Sequence, residues 1–195
     1  MESQTVLRRA LSLAYNYLAI RQRSEAEMRA HLLRAGLDEV TIDNAVAALT
    51  RQGLLDDRSF ASAWTESRQA SRPRSRRLLN SELRSKGVDA DVASSATEAV
   101  DDDATAAELA RRRVPQMKGL DRGTVMRRLT AYLLRRGFSG ETAGRAVRAA
   151  LADDARSRSW RERQARRQQL LRHRVGALRQ HGHRDRLAER KCRHR

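Results

Sequence analysis

At 195 residues the chain could hold one ordinary domain or several very small modules, and its hydrophobic content of 39%, with only 4% aromatic residues, is mainly Ala, Leu and Val, a mix that favours helix over strand. The net charge of +17 selects polyanionic partners and is uneven: residues 1–153 hold 26 Lys and Arg against 20 Asp and Glu, residues 154–195 hold 15 against 4. A single cysteine, Cys192, excludes an internal disulfide, and with no apolar run of bilayer length and no leader-like apolar core the expectation is a soluble, cytoplasmic, monomeric protein that engages no membrane.

From the N-terminus, a helical stretch from Leu7 to Ile20 precedes Ser24-Glu25-Ala26-Glu27, which reads as a capping box opening a second helix. That helix closes at Leu32-Leu33-Arg34-Ala35-Gly36-Leu37, and the same pattern of Leu, three residues, Gly and an apolar residue returns at Leu83 to Val88 and at Leu133 to Phe138. The three glycines are 51 and 50 residues apart, the signature of a repeat. Gly just past a helix takes the left-handed conformation that ends it, and the apolar residue after it folds back onto the Leu of the last turn. Met28, Leu79 and Leu129, eight residues before each glycine, extend that stripe by a turn.

Two residues after the glycines, Asp38, Asp89 and Ser139 stand where the N-cap of a third helix belongs. The buried stripe of that helix is Ile42, Ala45, Val46 and Leu49 in the first copy and Ala93, Ala96, Thr97 and Val100 in the second. In the third copy it is Ala143, Ala146, Val147 and Ala150. Helical stretches from Phe60 to Arg68 and from Ala104 to Val114 open copies two and three. The expected fold is all-α: three tandem three-helix repeats, residues 1–54, 55–100 and 101–153, in an elongated, curved array. Each unit is marginal alone, so neighbours lean on one another. A basic C-terminal tail, 154–195, follows as helix or disorder, with Leu170, Leu171, Val175 and Leu178 suggesting a weak amphipathic helix and the last dozen residues disordered.

Catalytic chemistry is hard to assemble from these residues. The glycines form no phosphate loop, and His31 is the one histidine outside the tail, so no histidine triad or histidine metal cluster fits the body. In the tail His173, His181, His183 and His194 lie near Cys192, but their spacing matches no ordered zinc pattern and arginines surround them. Asp56-Asp57 and Asp101-Asp102-Asp103 read as helix openers rather than catalytic pairs. No enzyme, cofactor or metal is expected.

Two basic clusters stand out in the body: Arg68, Arg72, Arg74, Arg76 and Arg77 in the second copy, and Arg111, Arg112 and Arg113 with Arg135 and Arg136 in the third. Guanidinium forks suit bidentate contact with phosphates or carboxylates, so DNA backbone and an acidic protein groove are both candidate partners, against the alternative of a solvated arginine-rich face. Trp64, Phe60 and Phe138 fall on apolar stripes and read as core, while Trp160 lies in the tail.

Arg23-Ser24 with Glu27, then Gly53-Leu54-Leu55-Asp56-Asp57-Arg58-Ser59-Phe60-Ala61, Glu82 to Val88 and Tyr132 to Phe138, in this order and at fifty-residue spacing, resemble the RecX regulatory proteins over residues 6 to 152. Ser75 stands where that family often has Gly. The resemblance implies tandem three-helix modules that bind the RecA nucleoprotein filament, lie along its groove and modulate, mostly by inhibition, its ATPase, strand-exchange and coprotease activities, so regulating repair and recombination; the arginine clusters add an expected contact with single- or double-stranded DNA backbone. The alternative is a helical DNA-binding or transcription module acting without RecA, since short helix-turn-helix pairs also read as helix, glycine turn, helix.

Overall fold

In the computed structural model the described residues are 2–192, with side chains placed within 4–169, and among them helices are joined by short turns with no strand. In chain order these are α1 (Glu2–Ile20), α2 (Glu25–Arg34), α3 (Glu39–Arg51), α4 (Asp57–Ser71), α5 (Arg76–Ser85), α6 (Ala90–Thr97), α7 (Asp102–Arg113), a 3-10 turn (Val114–Met117), α8 (Arg122–Arg135) and α9 (Gly140–Cys192). Residues Met1–Arg148 form one compact unit and Ala149–Arg195 a second, so α9 begins in the first and continues through the second.

Helix ends follow the local chemistry of the sequence. Side chains of Ser24, Asp38, Asp56, Ser75, Asp89, Asp101 and Asp121 each accept a backbone N–H of the first turn they open. Ser139 does the same for α9, accepting from Thr142 N at 3.0 Å. At the far ends of α2, α5 and α8, Gly36, Gly87 and Gly137 have φ of 80°, 79° and 89°. The following Leu37, Val88 and Phe138 donate back to the carbonyls of Leu32, Leu83 and Leu133 at 3.4, 3.1 and 3.3 Å, the double hydrogen-bonded closure that the repeated pattern predicts.

Each repeat closes its own core. Ala10 and Ala14 of α1, Met28 and Leu32 of α2 and Ile42, Ala45, Val46 and Leu49 of α3 are buried together, joined by Leu37 and by Leu55 from the start of the next repeat. Phe60 and Ala61 of α4, Leu83 of α5, Val88 and Ala93 of α6 form the second core, with Trp64 and Ala96 half-buried against it. In the third, Leu129, Leu133, Phe138, Ala143 and Val147 are buried, as is Ala146 of the same stripe; Ala150, in the second unit, is buried too.

Two details differ from expectation. Ser24 caps α2, but the Glu27 carboxylate does not return to Ser24 as a capping box requires; it binds Arg21 and Lys86 instead, because a stronger cationic partner is within reach. The third helix of repeat three does not stop near residue 153. No glycine closes the helix just after Ala150 as Gly53 follows α3, and the segment after it is rich in Arg with Ala, Leu and Gln, all good helix formers, so helix propagates through the tail as far as Cys192, including residues expected to be disordered. The tail leucines from Leu170, the four tail histidines and the Cys192 side chain lie outside the described side chains, and residues 193–195 outside the described chain.

Candidate functional site

The basic turn of repeat two is organised around one acid. Glu82 on α5 accepts at Oε2 from Arg68 Nε at 3.1 Å and from Trp64 Nε1 at 3.2 Å, and Arg74 forms an ion pair with its other oxygen. Arg68 and Lys86 also lie over the Trp64 ring, 4.1 and 4.3 Å from its centroid. Burial pushes the Arg74 pKa down, and the neighbouring charges of Arg68, Arg136 and Arg72 push the same way. Arg76 donates to the Val100 carbonyl at 3.1 Å and Arg77 reaches the Gly137 carbonyl at 3.5 Å. Arg72, at the end of α4, is exposed and has no side-chain hydrogen bond or ion pair among the described residues.

In repeat three, Arg111 and Arg112 share Glu108 at 2.9 and 2.6 Å. Arg113 and Arg136 both lie over the Tyr132 ring, at 4.6 and 5.0 Å. Arg136 also donates to the Pro73 carbonyl at 2.8 Å, which brings the two predicted clusters together across a repeat boundary. Arg113 and Arg135, joined by Arg128, line a cavity of about 350 Å³ with Gln116 and Tyr132. Arg128 was outside both predicted clusters. Its signal is periodicity: it lies seven residues, two helical turns, before Arg135.

The contacts that join the repeats involve residues whose role no local pattern reveals. Asp57, at the start of α4, accepts from the N–H of Glu25 at 2.8 Å, so repeat two caps the second helix of repeat one. Asp102 does the same for repeat two, accepting from the N–H of Arg76 at 2.8 Å. Ser24 Oγ donates to the Lys86 carbonyl at 2.6 Å, and at the next junction Ser75 N donates to the Arg136 carbonyl at 3.0 Å. Ser75 is buried, and its hydroxyl accepts a capping bond that a Gly could not, while the junction bond is made by its backbone N–H. Burial pushes the Asp57 pKa up despite this hydrogen bond. Burial also pushes Glu27 up, but its hydrogen bonds to Arg21 and Lys86 and their charges more than offset this and hold it at about 2. The acids predicted as helix openers therefore open helices and also pin neighbouring modules.

Elsewhere His31 stacks on Tyr17 with ring centroids 4.0 Å apart. Among the described residues no group of three or more His, Cys, Asp or Glu is placed to hold a metal ion, and no helix is long and apolar enough to cross a membrane.

Comparison with known proteins agrees with this architecture repeat by repeat. Residues 10–49 match the family model for the first three-helix domain of RecX, 56–96 that for the second and 101–147 that for the third. The chain is 38% identical over 134 residues to the regulatory protein RecX of Amycolatopsis mediterranei, covering 67% of this chain and 77% of that one. It is 40% identical over 147 residues to that of Mycobacterium ulcerans, covering 73% and 85%. Its fold matches the crystal structure of RecX from Lactobacillus salivarius with a TM-score of 0.67 at 18% identity, over 75% of this chain and 97% of the other.

Proposed function

Since the chain belongs to the RecX family of regulatory proteins, we propose that it binds the RecA nucleoprotein filament and modulates, mostly by inhibition, its ATPase, strand-exchange and coprotease activities. It acts by contact and not by catalysis. The observation that carries this reading is the joining of the two arginine clusters at the second repeat junction, which gives a basic field wider than one module. Three linked modules offer contacts to more than one filament subunit, and guanidinium forks suit both acidic protein grooves and DNA phosphates.

Within that field some arginines tie parts of the fold together and others stand at the surface, where Arg77 keeps a long bond to the Gly137 carbonyl and Arg111 and Arg112 pair with Glu108 on their own helix. Arg68, Arg74, Arg76 and Arg136 hold the fold, through Glu82, the Val100 carbonyl and the Pro73 carbonyl. Arg72, Arg77, Arg111, Arg112, Arg113 and Arg135 are exposed and are the proposed partner contacts. The action is cytoplasmic, where the filament forms. In a RecA strand-exchange reaction the full chain lowers product formation as its concentration rises; no change at saturating dose contradicts the proposal.

A further inference from the structure

Aligned on their helix-closing glycines, the three repeats carry His31, Glu82 and Tyr132 at the same position, five residues before the glycine. The chain fills this site for itself in the first two repeats. In repeat one, His31 stacks on Tyr17, and Arg23 lies 3.8 Å over the same ring. In repeat two the position supplies a carboxylate, and Glu82 balances Arg68 and Arg74. In repeat three it supplies no charge: Tyr132 shares a cavity of about 350 Å³ with Arg113, Arg128 and Arg135, and no Asp or Glu is among the lining residues.

A second equivalent position sharpens the contrast. Nine residues before the glycines stand Glu27, Leu78 and Arg128. The first two face the next repeat: Glu27 pairs with Lys86 at 2.7 Å, and Leu78 lies where a Cβ on Gly137 would be 2.6 Å from its own. Arg128 holds that face in the last repeat, and neither it nor Arg113 nor Arg135 has an ion pair among the described residues. Three like charges gathered on one concave surface without a counter-charge are mutually repulsive, and an anion placed among them reverses the sign of that interaction.

We propose that this cavity of repeat three is a binding site for the phosphate backbone of single-stranded nucleic acid. Guanidinium forks match phosphate oxygens bidentately, and the Gln116 amide adds a neutral donor. A chain of charge +17 concentrates polyanions ahead of isolated carboxylates. The site deepens the filament reading by placing DNA contact in one repeat, and it rests on that reading only for its biological setting.

The test uses the full chain and a fluorescent oligothymidylate over a salt series, with two triple variants that lose equal charge. One is Arg113→Gln, Arg128→Gln, Arg135→Gln; the other, Arg8→Gln, Arg51→Gln, Arg84→Gln, removes exposed arginines elsewhere. Three phosphate contacts on a single strand give the cavity variant a log–log salt slope shallower than wild type by about 2 and an affinity about tenfold lower at low salt, beyond any change in the second variant. Equal losses in both variants overturn the site. So does an equal loss of binding to poly-glutamate, which would assign the cavity to an acidic protein instead. If the triple cavity variant melts early, the three single variants, each expected to reduce the slope by about 0.7, carry the same test. Strand exchange run in parallel separates the two readings: a wild type that leaves it unchanged removes the filament reading alone, and equal slopes with inhibition intact remove the cavity site alone.

Discussion

Gly36, Gly87 and Gly137 share one backbone conformation but not one environment. A Cβ at Gly36 meets nothing within 4 Å, whereas at Gly87 it would lie 2.1 Å from the Ala26 Cβ and at Gly137 2.5 Å from the Ser75 Oγ. Substitution by Ala at Gly36 therefore costs about 1–2 kcal/mol of backbone strain alone. At Gly87 and Gly137 overpacking adds about 1–3 kcal/mol, measurable as a lower urea midpoint than the Gly36→Ala protein. Half of this was legible in sequence: the left-handed turn is a local property and the pattern announces it, but the close approach depends on a residue of the preceding repeat, Ala26 for Gly87 and Ser75 for Gly137. Glu27 provides a pH-dependent test of the same junction. Its carboxyl at about 2 lies below its ordinary 4.5, so its ion pairs contribute in full above pH 4.5 and are lost as pH falls toward 2. The stability gap between wild type and Glu27→Gln, followed by denaturant titration, should narrow across that window; a gap independent of pH would show that the pairs contribute nothing.

At the scale of the helices, the N-termini of α2 and α5 each receive a carboxylate from the module that follows, Asp57 and Asp102. Removing such a cap with Asp57→Ala is expected to cost about 1 kcal/mol in thermal or denaturant unfolding. Asp57→Asn keeps an acceptor oxygen while deleting a charge whose pKa burial has raised, so it should match or exceed wild-type stability at neutral pH. A destabilised Asn variant with an unaffected Ala variant would contradict the capping role. The sequence marked both acids as helix openers, which Asp56 and Asp101 are in the strict sense, but it could not distinguish an N-cap from the residue beside it that reaches the neighbouring module. The arginine turn shows the same limit. A charge run reads as a contact surface until the position of Glu82 shows that Arg68 and Arg74 are turned onto it, the acid coming from α5, Arg68 from α4 and Arg74 from the turn between them.

For the molecule as a whole, the three-helix repeats were visible in sequence because each is closed by short-range signals that recur every fifty residues, and the family comparison covers the same three segments. The division of the basic face was not visible, because it arises where two modules meet: Arg136 bonds to Pro73, while Arg113, Arg128 and Arg135 gather around a cavity. The proposed role requires that this face recognise a recombinase filament in preference to bare DNA. Its most direct test is the binding of the full chain to RecA-coated and to bare single-stranded DNA of one length, at one salt concentration near physiological. Clearly tighter binding to the coated strand is expected; equal affinity for the two, or preference for the bare strand, would rule out recognition of the filament.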